Sequence, residues 1–182
     1  YNFWIFSLGL CSASLIITGF TFHISSIGSL AGLSRFDTYS IFLPIAVFSM
    51  ITHLISGWAS DRMPLKYILM VMLFGLSLGS IGMLNLEIPI YKTLVIIGFG
   101  LQGGIWPCLF TVTWPRFYGR KHLGSISGLV MGAQVFASAI GPPIFGLSES
   151  IYGNYAPVAI LLTVLNFLLI IGALRAVSYY RG

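Results

Sequence analysis

From Phe3 to Ala173 the sequence runs as a succession of apolar stretches, each close to 20 residues or longer, separated by short polar breaks. A helix that crosses a bilayer needs about 20 mostly apolar residues, and a helix satisfies its own backbone polar groups where no water is present. The breaks divide the chain into six such spans, at about 3–28, 39–60, 66–84, 91–114, 124–147 and 154–173. What remains cannot hold a soluble domain. Composition agrees: 57% of the 182 residues are hydrophobic and 7% charged, where a soluble domain carries about 25% charge. The expected fold class is an all-α, integral, multi-pass membrane protein.

Local signals place the breaks. Gly32 caps the first span, and Ser34 to Asp37 is a Ser-x-x-Asp capping box that starts the next. Asn85 to Pro89 is a short turn, and Pro115 to His122 a second charged break. The third span has no ionisable side chain inside it and is expected to be peripheral. In the fourth, Gly98, Gly100, Gly103, Gly104 and Pro107 permit close packing and a local bend. Gly124, Gly128 and Gly132 form consecutive Gly-x-x-x-Gly steps on the fifth span, a small-residue ridge for helix packing. Gly141-Pro142-Pro143 is expected to end or kink that helix, or to form a packing groove. Cys11 and Cys108 both fall in apolar segments, so no disulfide is expected.

Nine Lys and Arg stand against four Asp and Glu, a net charge of +5. In an apolar chain this charge sets orientation and does not imply nucleic acid as a partner. Arg62 and Lys66, then Arg116, Arg120 and Lys121, then Arg175 and Arg181 fall on one side of six spans, leaving Arg35 and Lys92 near the other. The positive-inside rule puts both termini in the cytoplasm. The sequence lacks an initiator Met, and Tyr1 opens directly into an apolar run without the basic region and cleavage site of a signal peptide. The expectation is an excised piece of a longer chain.

Between the second and third spans the chain reads Gly57-Trp-Ala-Ser-Asp-Arg-Met-Pro-Leu-Lys66. This Gly-x-x-x-Asp-Arg-x-x-x-Lys pattern resembles the signature loop of the major facilitator superfamily of secondary transporters. Gly57, Asp61, Arg62, Lys66 and Leu69 fit it. Pro64 stands where the family has a second glycine, and Leu65 where it has another basic residue. Pro115 to Gly128, with Gly19-Phe20-Thr21-Phe22-His23, is similar to the monocarboxylate and oxalate/formate exchanger branch. The resemblance implies one half of such a transporter, a 3+3 inverted repeat, completed by an N-terminal six-helix half. It further implies alternating access around a midplane site, and a gating loop whose carboxylate holds a neighbouring helix terminus while its basic groups pair nearby. The implied cargo is a small organic solute such as a monocarboxylate, with a proton or counter-anion as partner in symport or antiport.

Within the spans, His23, His53, Gln102, Trp106 and Gln134 are the candidates for the solute pathway. Ionisable residues in spans mark pathways, and an imidazole changes charge near neutral pH. Against this, each histidine can simply bond a neighbouring backbone, and each glutamine can join helices. Ser7, Cys11, Ser14, Thr18, Thr21 and Ser25 share one face of the first span, and packing accounts for that stripe as well as a pathway does. His23 lies about 200° round the helix from Thr21, nearer Gly19 and Ser26. A carboxylate carrier wants a cation facing its cavity, and none is visible in these spans, so it would come from the other half.

Two other classes fit six spans. A channel or structural protein is one. The other is a rhomboid-type intramembrane protease, which Ser125-Ile126-Ser127-Gly128 partly resembles. The resemblance implies a histidine base from a later helix to activate the serine, and the last histidine, His122, precedes Ser127. No phosphate loop, metal cluster or cofactor motif is present.

Overall fold

The computed structural model describes residues 1–176. Its helices are α1 (Asn2–Leu30), α2 (Arg35–Ser40), α3 (Phe42–Ser60), α4 (Leu65–Gly82), α5 (Pro89–Tyr118), α6 (Leu123–Tyr152) and α7 (Ala156–Leu174). Counting Arg35–Ser60 as one broken span, six of the described segments are long and apolar enough to cross a membrane. The expected ends follow from their chemistry. Gly32 adopts φ +68 after α1, and the Ser34 hydroxyl accepts from the Asp37 N–H at 3.1 Å to open α2. Asn85 Oδ1 accepts from the Glu87 N–H at 3.2 Å in the α4–α5 turn, and Pro89 opens α5, where its missing N–H costs nothing.

α1 is the central element. Phe6, Leu10, Ala13, Ile16 and Phe20 are wholly buried along it, and its main chain runs close to every other long helix except α3, which it meets through Phe20 and Phe42. The closest approaches come from glycine. At Gly98 of α5 an added Cβ would lie 2.5 Å from the Gly75 carbonyl and 2.8 Å from the Gly79 Cα of α4. One turn on, the same helix meets α3: a Cβ at Gly104 would lie 2.5 Å from the Ser49 carbonyl. α5 is thereby held between α4 and α3, backbone to backbone. Gly141 of α6 meets the Leu15 carbonyl of α1 in the same way.

Two expectations about placement are corrected. The third span is not peripheral in its packing: 61% of the central window of α4 is buried, the most of any span. Gly75, Gly79 and Gly82 let α5 lie on it, and α7 covers another side. The uncovered spans are Arg35–Ser60 and Leu123–Tyr152, with 17% and 11% of their windows buried. Nor do Pro142 and Pro143 end α6, which continues to Tyr152. The carbonyls they orphan are tolerable in a membrane helix where neighbours compensate.

The glycine contacts predict an asymmetric response. Gly98→Val should destabilise the folded protein by about 2 kcal/mol or more, as overpacking against a backbone that cannot give way does. A thermal melt in detergent showing no lowered midpoint would mean that α4 and α5 are not this close.

Candidate functional site

Helices α1, α5 and α6 leave between them a cleft of about 320 Å³, lined among others by Ser14, Thr18, Gln102, Trp106, Gln134 and Ser138. Thr18 and Ser138 share a hydrogen bond of 2.9 Å across the α1–α6 seam, and the Ser14 hydroxyl donates to Gln134 Oε1 at 3.4 Å. That leaves the Gln134 amide nitrogen without a partner, and the Trp106 indole N–H has none either. Trp106 is stacked on Phe110, rings 5.5 Å apart and 9° from parallel, which fixes its plane. The cleft lining is uncharged, and two of its residues hold buried donors with their bonds unmade. Three of the sequence candidates, Gln102, Trp106 and Gln134, thus come together.

The two histidines lie elsewhere. His53 of α3 is hydrogen-bonded through Nδ1 to the Gly104 carbonyl at 3.0 Å, and Ser56 donates to the same oxygen at 3.2 Å. A carbonyl only accepts, so Nδ1 carries the proton. The polar face Ser49, His53, Ser56 and Ser60 is therefore the seam of α3 with α5.

His23 sits on the α1–α6 seam beyond the cleft, toward the end away from Asp61. Its Nε2 is 3.1 Å from the Pro142 carbonyl and its Nδ1 3.0 Å from the Tyr155 hydroxyl. Tyr155 donates to Glu149 Oε2 at 2.7 Å, Ser26 donates to Glu149 Oε1, and His23 Nδ1 lies 3.6 Å from Glu149. Burial pushes the Tyr155 phenol up to about 12, so it remains a donor at neutral pH. Gly153 in the left-handed region closes α6, its N–H on the Glu149 carbonyl at 2.8 Å, and turns the chain so that Tyr155 faces back. Sequence reasoning missed Glu149 and Tyr155 because Pro142-Pro143 was expected to stop or bend the helix. The spacing held the signal: Ser138, Pro142, Phe145 and Glu149 follow steps of four, three and four on one helical face.

At the other end, Asp61 caps α3. Its carboxylate is 3.5 Å from Arg116, in the last turn of α5, and Arg116 also donates to the Ser60 carbonyl. Arg62 lies over the Trp58 ring at 4.4 Å, and Lys66 donates to the Ala176 carbonyl at 3.2 Å, tying the hairpin to the end of α7. Gly57 has open space where a Cβ would stand. Arg175 ends α7 on this side; Arg181 lies outside the described residues.

Among the described residues the glycine ridge of the fifth span is not a contact: a Cβ at Gly124, Gly128 or Gly132 would meet nothing within 4 Å. The expected close packing falls instead on Gly141, while Pro142 serves through its carbonyl. His122, the exposed residue before α6, makes no hydrogen bond to Ser127 among the described residues, so no serine–base pair is assembled.

Six helices long and apolar enough to cross a membrane, a charged hairpin after the second, and an uncharged polar cleft beside one of the two sparsely covered spans are consistent with a secondary transporter fold. The family model of the Major Facilitator Superfamily matches residues 1–142, from α1 well into α6, and the chain belongs to that superfamily. It is a family of transporters and not of enzymes.

The hairpin contacts rank two substitutions. Asp61 is 76% exposed, and exposed ion pairs are worth about 0–1 kcal/mol. Asp61→Asn should therefore lower stability by less than about 1 kcal/mol. Arg116→Ala also removes a charged donor from a main-chain carbonyl and should cost more, about 1.5–3 kcal/mol. Denaturation of the two variants side by side checks the order.

Proposed function

We propose that this chain is one half of a secondary active transporter, the C-terminal six-helix bundle over residues 1–182 in a 3+3 inverted arrangement. It moves a small organic anion of the monocarboxylate class by alternating access. The observation that carries this reading is the cleft on the α1–α6 seam, with the unmade donors of Trp106 and Gln134. Such donors suit the oxygen acceptors of a carboxylate. The cleft supplies no cation, so the charge that balances the anion comes from an N-terminal six-helix half facing α3 and α6.

The sparsely covered faces of these two helices, with Leu54 and Trp58 on one and Gly124, Gly128, Gly132 and Phe136 on the other, support a partner there. Open glycines give that partner backbone-close access, and the rest of the apolar surface faces lipid. The basic residues at the Asp61 end place that end in the cytoplasm by the positive-inside rule, with both termini on the same side. The Arg116 contacts to Ser60 and Asp61 then hold the cytoplasmic ends of α3 and α5 together as part of the gate.

The test is uptake of labelled lactate into vesicles carrying the complete parent protein, with and without a proton gradient or unlabelled lactate inside. Saturable uptake supports the reading, and its absence with correctly inserted protein removes the substrate assignment. Trp106→Phe keeps the stacked ring and deletes the N–H. It should raise KM about five- to tenfold, the loss of one hydrogen bond of about 1 kcal/mol or somewhat more. Because an unpartnered buried donor is itself unfavourable, its melting point should not fall.

A further inference from the structure

The hydrogen-bond geometry around His23 fixes how many protons the cluster holds. The Pro142 carbonyl can only accept, so His23 Nε2 carries a hydrogen. The Tyr155 hydroxyl has one hydrogen and two neighbours that want it, Glu149 Oε2 at 2.7 Å and His23 Nδ1 at 3.0 Å. Ser26 spends its hydrogen on the other oxygen of Glu149. With a neutral imidazole and an ionised carboxylate, either Nδ1 faces the Tyr155 oxygen lone pair to lone pair, or Glu149 does. One more proton removes the conflict. It sits either on Nδ1, which then donates to Tyr155 while Tyr155 donates to Glu149, or on Glu149, which then donates to Tyr155 while Tyr155 donates to Nδ1. Both forms satisfy every contact, and both hold the same number of protons.

We infer that His23, Tyr155, Glu149 and Ser26 form a proton-binding site, and that the bound proton closes a clasp joining α1, α6 and the start of α7. Release sends the proton to water and leaves one of the two Tyr155 contacts unmade, so the clasp loosens as pH rises. Glu149 is the carboxylate within ion-pair reach of His23 among the described residues. The other charges at this end, Arg35 and Asp37 on α2 and Glu87 and Lys92 at the α4–α5 turn, form no ion pair with either group there. The clasp lies on the α1–α6 seam that carries the cleft: Thr18 meets Ser138 little more than a turn from where His23 meets Pro142. In the transporter reading proposed above, on which this consequence rests, proton occupancy biases whether that seam is shut at the end away from Asp61.

The experiment needs no solute. Amide hydrogen exchange is followed over residues 142–155 in the complete protein in lipid nanodiscs, corrected for intrinsic rates, from about pH 5.5 to about pH 8.5, a range that brackets neutral pH, near which imidazole side chains in general change charge. Wild type should lose about tenfold in protection as pH rises, the loss of one charge-assisted hydrogen bond. Glu149→Gln separates a proton site from a plain ion pair. The introduced amide donates permanently to Tyr155, which frees Tyr155 to donate to Nδ1, while the amide oxygen still accepts from Ser26. This variant should therefore stay protected at high pH, with its pH dependence gone; an ion pair would instead be loosened at every pH. His23→Gln should likewise abolish the pH dependence. A flat wild-type profile, or a Glu149→Gln variant that loosens throughout or keeps the wild-type profile, overturns the inference. Failure of lactate uptake would remove the substrate reading and leave this result standing.

Discussion

Where Gly98 lies against the backbone of Gly75 and Gly79, two helices approach as closely as main chains can. Lipid tails are as apolar as leucine, so no hydrophobic force drives helices together inside a bilayer, and tight van der Waals contact must do so. The rest of the bundle is arranged around such contacts. α5 meets α4 through Gly98 and α3 through Gly104, and α6 meets α1 through Gly141. Polar pairs then fix register along seams that glycine has brought close: Thr18 with Ser138, Ser12 with Asn166 at 2.7 Å, and His53 with the Gly104 carbonyl.

This economy divides the helices into two kinds. α1 and α4 are enclosed, whereas the Arg35–Ser60 and Leu123–Tyr152 spans are mostly bare. The bare spans are also the ones with open glycines, at Gly57 and at Gly124, Gly128 and Gly132. A small-residue ridge without a neighbour is a surface suited to close approach, and the cleft opens beside one of these helices. Packing and function are thus linked through what each helix leaves uncovered.

The ends of the bundle differ in chemistry. The Asp61 end is held by basic side chains on carbonyls, Arg116 on Ser60 and Lys66 on Ala176. The opposite end is held by an imidazole, a phenol and a carboxylate, whose bonding depends on where a proton sits. One end is thus held by basic donors on main-chain carbonyls and the other by a shared proton, an asymmetry that fits the alternating access proposed above.

Sequence alone determined the number of spans, the breaks between them and the family. Each is encoded locally, by the length of an apolar run, by a Ser-x-x-Asp box or the Asn85–Pro89 turn, and by a short charged motif. Helical periodicity is local too, and it puts Met131, Gln134 and Ser138 on the face that lines the cleft. Tertiary structure decided which faces meet. The Gly-x-x-x-Gly ridge of α6 looks like a packing surface in sequence yet lies bare, while the scattered glycines of α4 and α5 are the true close contacts. His53 and Ser56 of α3 both meet the Gly104 carbonyl of α5, and His23 meets Glu149, 126 positions away along the chain and past two prolines, only because α6 continues through them alongside α1. Periodicity tells which residues share a face; only the crossing of one helix over another tells what that face will touch.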